Sequence, residues 1–462
     1  MRRSVIALPL LALFASSCVS ADSPPPPRDA LLVTGVSIVD PNSGSASEPQ
    51  DIFIRSGTIA AIAPAGALTI PHGTPRLDGT GRFAMPGLID VHAHVGEGGI
   101  APASDATRER ALRQFLRYGV TTIFVPGAGG AGDADFPGLR ARCRSRTIAC
   151  PGIYGTGSLI TAPGSHPVST IFGMTDDVPA HVTEARGVTV LRPDMDISAL
   201  IAAKDAAGVD AIKIVIEDGP PPWHPKPRLS DAQVRDLVAA AHARSLPVVA
   251  HISTAAQVRV ALDAGVDAIM HAPVDRLPDD LVRRMAAQRM TYVSTFALYD
   301  GILTWARKQR ESDPYALKGV EPSAIESLTA PPFLAASAED EAGALAYLAN
   351  ASDNLKRAAA AGVPVALGTD VNNPFVFPGY SAHEELSWMV RAGLTPAEAI
   401  RAATLGSAAM LHRSPRIGRI APGYEADLLL LARNPLIRIE NSRSIVTVIA
   451  DGAVVPDVVS AD

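Results

Sequence analysis

Between Gly87 and Asp370 the sequence keeps returning to one pattern. A short apolar run ends on a polar residue, and a stretch with helical spacing often follows. The runs are Gly87–Val95, Val120–Val125, Gly152–Ile160, Asp210–Ile216, Pro247–His251, Val266–His271, Met290–Phe296 and Pro364–Asp370, eight in all. Helical spacing is clearest over Asp231–Ser245, Ala255–Ala264 and Asp279–Gln288, and Ser230 is a fair N-cap for the first of these. Apolar runs of this length between helices read as parallel strands covered on both faces. Eight such units, over about 330 residues, fit an α/β chain folded as a (β/α)8 TIM barrel, assigned to residues 85–416. An open doubly wound sheet is the rival layout. Polar residues at the ends of so many different runs favour the barrel, where all those ends converge on one mouth.

Both flanks have a different texture. From Ala30 to Gly81 the chain is strand and turn, with β-rich runs at Leu31–Val39 and Asp51–Ile62 and turns at Pro41–Gly44 and Arg55–Gly57. The same texture returns at Asp427–Leu431 and Ile445–Val455, with Asp451-Gly452 as a hairpin turn. Residues 30–84 and 417–462 are therefore expected to complete one small β-sandwich from both chain ends. The proline-containing insertion Tyr299–Glu341 reads equally well as a lid over a site or as a surface loop.

The start of the chain is read as an address. Arg2 and Arg3 precede the apolar run Val5–Phe14, and Ala15-Ser16-Ser17-Cys18 follows. That order is a signal peptide over residues 1–17, with Cys18 placed as the lipidated residue of a bacterial lipoprotein. Residues 18–29 form a proline-rich tether. The expected location is outside the cytoplasm, in the periplasm or on the outer membrane, and a lipid on Cys18 would be the sole membrane contact. An oxidising compartment permits a Cys143–Cys150 disulfide, and two separate small buried residues are the equal alternative. Lys and Arg number 41 against 47 acidic residues, for a formal net charge of −6, which argues against a nucleic-acid partner. Hydrophobic residues at 47% exclude disorder as the main state. Whether the chain forms a homo-oligomer is left open.

The polar run ends carry the chemistry. His92 and His94 are two apart at the first, so in a strand their rings share a face. Lys213, one of six lysines, sits inside Ala211-Ile212-Lys213-Ile214-Val215-Ile216, where burial would lower its pKa. A neutral amine there can take up carbon dioxide as a carbamate. The plainer reading is a lysine that snorkels or pairs with Glu217. His251, His271 and Asp370 each close a later run. Imidazole is the commonest ligand for borderline metals, and four histidines at strand ends are more than isolated core residues.

The order His-x-His, Lys, His, His, Asp along a barrel resembles the amidohydrolase superfamily, in its imidazolonepropionase-like and prolidase-like branch. Met85-Pro86-Gly87-Leu88-Ile89-Asp90 resembles its first-strand signature, and Gly423-Tyr424-Glu425-Ala426-Asp427 resembles its return into the sandwich. Thr161-Ala162-Pro163-Gly164-Ser165-His166 looks like a loop of that branch, departing from it at Ser165. The resemblance implies two divalent metal ions, zinc by default. His92, His94 and Asp370 would hold one, His251 and His271 the other, and carboxylated Lys213 with a hydroxide would bridge them. Asp370 would shuttle the proton, and His166 would contact the substrate as a second catalytic residue or remain a loop histidine. No acid follows His251 in Ile252-Ser253-Thr254, which separates the chain from the deaminase branch. The implied activity is hydrolysis of amide bonds in a small-molecule substrate, a small dipeptide or N-acyl amino acid. Cyclic amides, lactones and other esters are the enzymatic alternative, and a non-catalytic solute-binding lipoprotein is the alternative of another class. His383 reads as a support for the site or as the start of a helix, and Trp223 and His224 as optional pocket lining.

Overall fold

The computed structural model describes residues 29–95, 104–127, 133, 135–174, 178–218, 225–307, 313–318, 320, 325, 338–373 and 375–459. The leader, most of the tether, Trp223, His224 and much of the 299–341 insertion lie outside them.

Strands β1 (Ala30–Asp40), β2 (Ser45–Arg55) and β3 (Thr58–Pro64) pair antiparallel through the two expected turns. Strands β4 (Arg76–Asp78) and β5 (Phe83–Pro86) lie parallel to β1. After Gly87 the pairing becomes parallel. Strands β6 (Leu88–Asp90), β7 (Val120–Val125) and β8 (Gly152–Gly155) make one sheet. A second, seven-stranded sheet comprises β9 (Leu159–Thr161), β10 (Val188–Val190), β11 (Ile212–Val215), β12 (Val248–His251), β13 (Ala268–Met270), β14 (Thr291–Ser294) and β15 (Val365–Leu367). Its order is β10-β9-β11-β12-β13-β14-β15. Strands β16 (Leu428–Leu431), β17 (Ile445–Ala450) and β18 (Ala453–Val454) then return antiparallel, with β16 on β5. Strands from both flanks, within residues 30–86 and 428–454, therefore lie in one eight-stranded sheet.

Backbone hydrogen bonds tie the two parallel sheets together on both sides. Val91 N donates to Leu367 O at 2.9 Å and Asp370 N to His92 O at 2.7 Å, while Asp210 N donates to Gly155 O at 2.8 Å. Side chains alternate as strands buried on both faces require. Ile212, Ile214, Val248, Ala250 and Ile269 join the cluster packed with the helices. Ile89, Phe124, Ala211, Val249, Met270, Val293 and Ala366, from six of the parallel strands and the residue leading into β11, meet in a separate inner cluster. Lys213 shares the parity of Ala211, so its place in the sequence sends it toward that inner side.

The helices Ala255–Ala264 and Asp279–Gln288 begin and end where their spacing predicts. The helix predicted from Asp231 stops at His242, and Ser230 caps it with Gln233 in a capping box. The run Gly152–Ile160 is two strands. The break falls at Thr156–Ser158, where Gly157 has φ +61° and Ser158 N donates to Asp133 at 2.8 Å. Strand β10 carries no signal of its own in the sequence, being three residues long. Cys143 and Cys150 are joined by a disulfide, which decides between the two readings of that pair.

Candidate metal centre

The ends of β6, β11, β12, β13 and β15 bring the expected side chains to one place. Ala93 packs toward the helical layer, so His92 and His94 turn together to the other side. Asp370 Oδ1 lies 3.3 Å from His92 Nε2 and 3.1 Å from His94 Nε2. His271 Nδ1 is 4.0 Å from Asp370 Oδ2. The candidate ligand atoms of His92, His94 and Asp370 all lie within 4.8 Å of one another. The remaining imidazoles continue the cluster. His92 and His271 have ring centroids 4.7 Å apart, His271 and His251 4.4 Å, and His251 and His166 4.6 Å.

Local backbone explains how two of these residues point inward. Strand alternation after Met270, an inner residue, would send His271 outward. His271 instead has φ +75°, and Asp370 has φ +58°. Non-glycine residues held in the left-handed region cost about 1 kcal/mol or more each, and such strain concentrates at functional sites. Asp90 supports the opposite wall. Its Oδ1 accepts from His92 N at 3.0 Å and Thr369 N at 3.1 Å, and its Oδ2 accepts from Thr369 Oγ1 at 2.6 Å. One buried carboxylate thus fixes the backbone on either side of the His92–Asp370 contact. Burial pushes its carboxyl up to about 6.

Burial also sets the protonation of the cluster. It holds the His92 and His271 rings well below the ordinary imidazole range, and it pushes His166 down to about 4. These rings are neutral near pH 7, as metal ligation requires. Burial would raise Asp370, but the neighbouring His92 ring and the hydrogen bond to His94 hold its carboxyl well below the usual range. Burial pushes the Lys213 amine down to about 7. Lys213 Nζ lies 2.9 Å from Met270 Sδ, so its alternative partner Glu217 is not the one it takes.

Glu217 pairs with His251 Nε2 and accepts from Ser253 Oγ at 2.7 Å. Burial opposes its charge, yet the His251 and His166 rings and these hydrogen bonds hold it ionised, well below the ordinary carboxylate range. The sequence alone does not single out Glu217 or Asp90 as site residues. The signal available was an acid at or just past the end of a buried strand, Asp90 closing β6 and Glu217 two residues beyond β11. Thr295 Oγ1, 3.0 Å from His271 Nδ1, carried no comparable signal. His166 joins the cluster, stacked on His251, with Nδ1 2.7 Å from Thr170 Oγ1. His383 does not. It lies in the helix Tyr380–Arg391, with Nε2 2.9 Å from Tyr118 O and Nδ1 2.9 Å from Ser442 Oγ. Its role is to join the helix to the C-terminal segment.

The donor set fits divalent cations. It offers four buried or nearly buried imidazoles, one carboxylate and one amine, with hard oxygen and borderline nitrogen donors and no thiolate. Among the described residues, His92 Nδ1, His94 Nδ1 and Glu217 Oε1 are buried without a hydrogen-bond partner. Bound cations are one physical explanation for such orphaned atoms on imidazole and carboxylate groups.

Among known proteins, an ochratoxinase of Aspergillus niger is 25% identical over 393 residues, covering 76% of this chain and 70% of that one. An imidazolonepropionase of Cereibacter sphaeroides is 27% identical over 417 residues, covering 82% and 87%. A Xaa-Pro dipeptidase structure with bound methionine superposes with a TM-score of 0.72 at 22% identity, over 92% of this chain and 99% of that one, and so shares the fold. Residues 83–455 match the Amidohydrolase family, and the chain belongs to that family.

Proposed function

We propose that this chain is an exported, binuclear metal-dependent hydrolase of amide bonds in small dipeptides or N-acyl amino acids. The observation that carries the reading is the gathering of His92, His94 and His271 around Asp370, with His251 against His271 and the buried Lys213 feeling the Asp370 charge. His92, His94 and Asp370 would hold one cation, His251 and His271 the other, and Lys213 as its carbamate would join them. Two cations there, zinc by default, would polarise a carbonyl and supply hydroxide at neutral pH. Asp370 would take the proton of the attacking water and return it to the leaving nitrogen. His166, stacked on His251 at the rim of the cluster, would hold the substrate's carbonyl or carboxylate. Membership of the Amidohydrolase family supports hydrolysis at carbon–nitrogen bonds.

The architecture proposed for this site is a closed (β/α)8 barrel over residues 85–416. Its support is the pair of hydrogen-bonded seams and the inner cluster drawn from both parallel sheets. Strands β8 and β9 would then be two halves of one kinked barrel strand. The end sheet, residues 30–84 and 417–462, would fold on itself as a sandwich. Its support is the Thr58–Glu425 bridge and a core shared by Ile52, Ile54, Leu428 and Ile449. The Cys143–Cys150 disulfide supports an oxidising location and thus export.

The test is a panel of dipeptides, N-acyl amino acids, cyclic amides and lactones, with bound metal measured on the same sample. Turnover of the linear amides with two metal ions per chain is expected. Asp370→Asn should keep the fold and lower kcat by about 10³-fold or more. A metal-loaded chain that turns over nothing in the panel would overturn the enzyme reading in favour of solute binding.

A further inference from the structure

Glu217 stands two residues beyond the end of β11 and is only 2% exposed. Its Oε2 is shared by two donors, His251 Nε2 and Ser253 Oγ. Ser253 Oγ already donates to that oxygen, so Oε2 serves as an acceptor and the nitrogen facing it carries the proton. That leaves Nδ1 of His251 as the ring's lone-pair nitrogen. We infer that Glu217 is the positioning residue of His251, fixing the tautomer and ring orientation that present Nδ1 to the second cation. The inference rests on the metal reading above and names a residue which that reading does not include.

The ring has little freedom to escape this arrangement. His166 is stacked on it at 23° and His271 meets it edge-on at 68°. Glu217 is itself held from behind. Ser253, which donates to it, gives its backbone N to Gln257 Oε1 at 2.6 Å, and Gln257 Nε2 donates to Asp218 Oδ1 at 2.6 Å. Gln257 is also the third residue of the helix Ala255–Ala264, in a capping box with Thr254. A chain of hydrogen bonds thus runs from a helix N-terminus through Gln257, Ser253 and Glu217 to His251. Supports of this kind outside the ligands set ligand orientation, and their loss weakens metal binding about 10–100-fold.

The experiment measures zinc stoichiometry and affinity by chelator competition, on the full chain. It compares the unaltered protein with Glu217→Ala, Glu217→Gln, His251→Ala and the Glu217→Ala/His251→Ala pair. Glu217→Ala is expected to weaken one of two zinc ions about 10–100-fold and to leave the other unchanged. Glu217→Gln, whose amide oxygen still accepts from Nε2–H, should recover part of the loss. In the His251→Ala background, Glu217→Ala should add nothing, because the two act as one unit. Unchanged zinc affinity in Glu217→Ala would overturn the inference, as would a full additional loss in the double variant, which would make Glu217 an independent ligand. If Glu217→Ala does not fold, the Glu217→Gln measurements decide in the same way. An unaltered chain that holds no zinc, cobalt or manganese would overturn the metal reading itself, and is told apart by that first measurement.

Discussion

Glu385 is a carboxyl in an expensive place. It is fully buried in the helix Tyr380–Arg391, its Oε2 accepts from Ala297 N at 2.8 Å, and its Oε1 has no partner among the described residues. Burial pushes it up to about 8 from an ordinary 4.5, against hydrogen bonds that favour the charged form. At pH 7 it is therefore mostly protonated in the folded chain and ionised in the unfolded one. Folding takes up a proton between these two values. The destabilisation is complete above pH 8, shrinks as pH falls and is gone below pH 4.5. Glu385→Gln keeps the acceptor for Ala297 N and removes the charge. Its melting temperature should exceed that of the unaltered chain by about 3 °C or more at pH 9, with the gain vanishing toward pH 4.5. A difference that stays flat with pH would show that Glu385 does not change protonation on folding. This residue was not legible in the sequence, because nothing near it distinguishes a buried glutamate from a solvated one on the same helix. Lys213 was legible, because apolar residues flank it on both sides. Glu217 was half legible: its closeness to the strand end could be read, but which neighbour it faces depends on β12, whose side chains are 34 positions away.

Among elements, β15 and the residues after β6 approach closely in the site. Gly368 leaves no room for a side chain: a Cβ there would lie 2.7 Å from His92 Cβ and 2.7 Å from Val293 Cγ1. Gly368→Ala must push these strands apart, and the residues displaced are His92 and, two positions on, Asp370. Overpacking of this kind costs about 1–3 kcal/mol. A shift of about 1 Å in reacting groups costs on the order of 100-fold in rate. The variant should melt lower and lose at least about 10-fold in kcat/KM, measured on whichever substrate the panel identifies. Normal turnover at lowered stability would mean that the strands separate without moving the ligands. Seven of the eight apolar runs predict the parallel strands one for one, because a strand covered on both faces has no polar side to break its pattern. The exception, Gly152–Ile160, shows the limit of that signal. An apolar run cannot report the kink at Gly157, since the Ser158–Asp133 hydrogen bond beside glycine's φ +61° joins residues 25 positions apart.

At the scale of the whole molecule, the end sheet has a core cluster of its own and is joined by a short step to the parallel sheets that carry the site. Strand β5 belongs to the end sheet, and Gly87 alone separates it from β6 and the histidines beyond. The two ends of the chain could be matched from their shared texture. Their register could not, because pairings between β1 and β5 or between β5 and β16 join segments too far apart for any local pattern to record. This division makes a separable prediction. Ile449 on β17 is fully buried in the cluster formed by Val33, Val36, Ile52, Ile54 and Leu430, with no site residue in that cluster. Ile449→Ala should cost about 2–5 kcal/mol through lost burial and a cavity, lowering the melting temperature by several degrees. Zinc content and kcat per folded molecule should be unchanged, because the cavity opens in a cluster that holds none of the ligands. A fall in kcat comparable to that of Gly368→Ala would show instead that the end sheet sets the position of β6, and through it the geometry of His92 and His94.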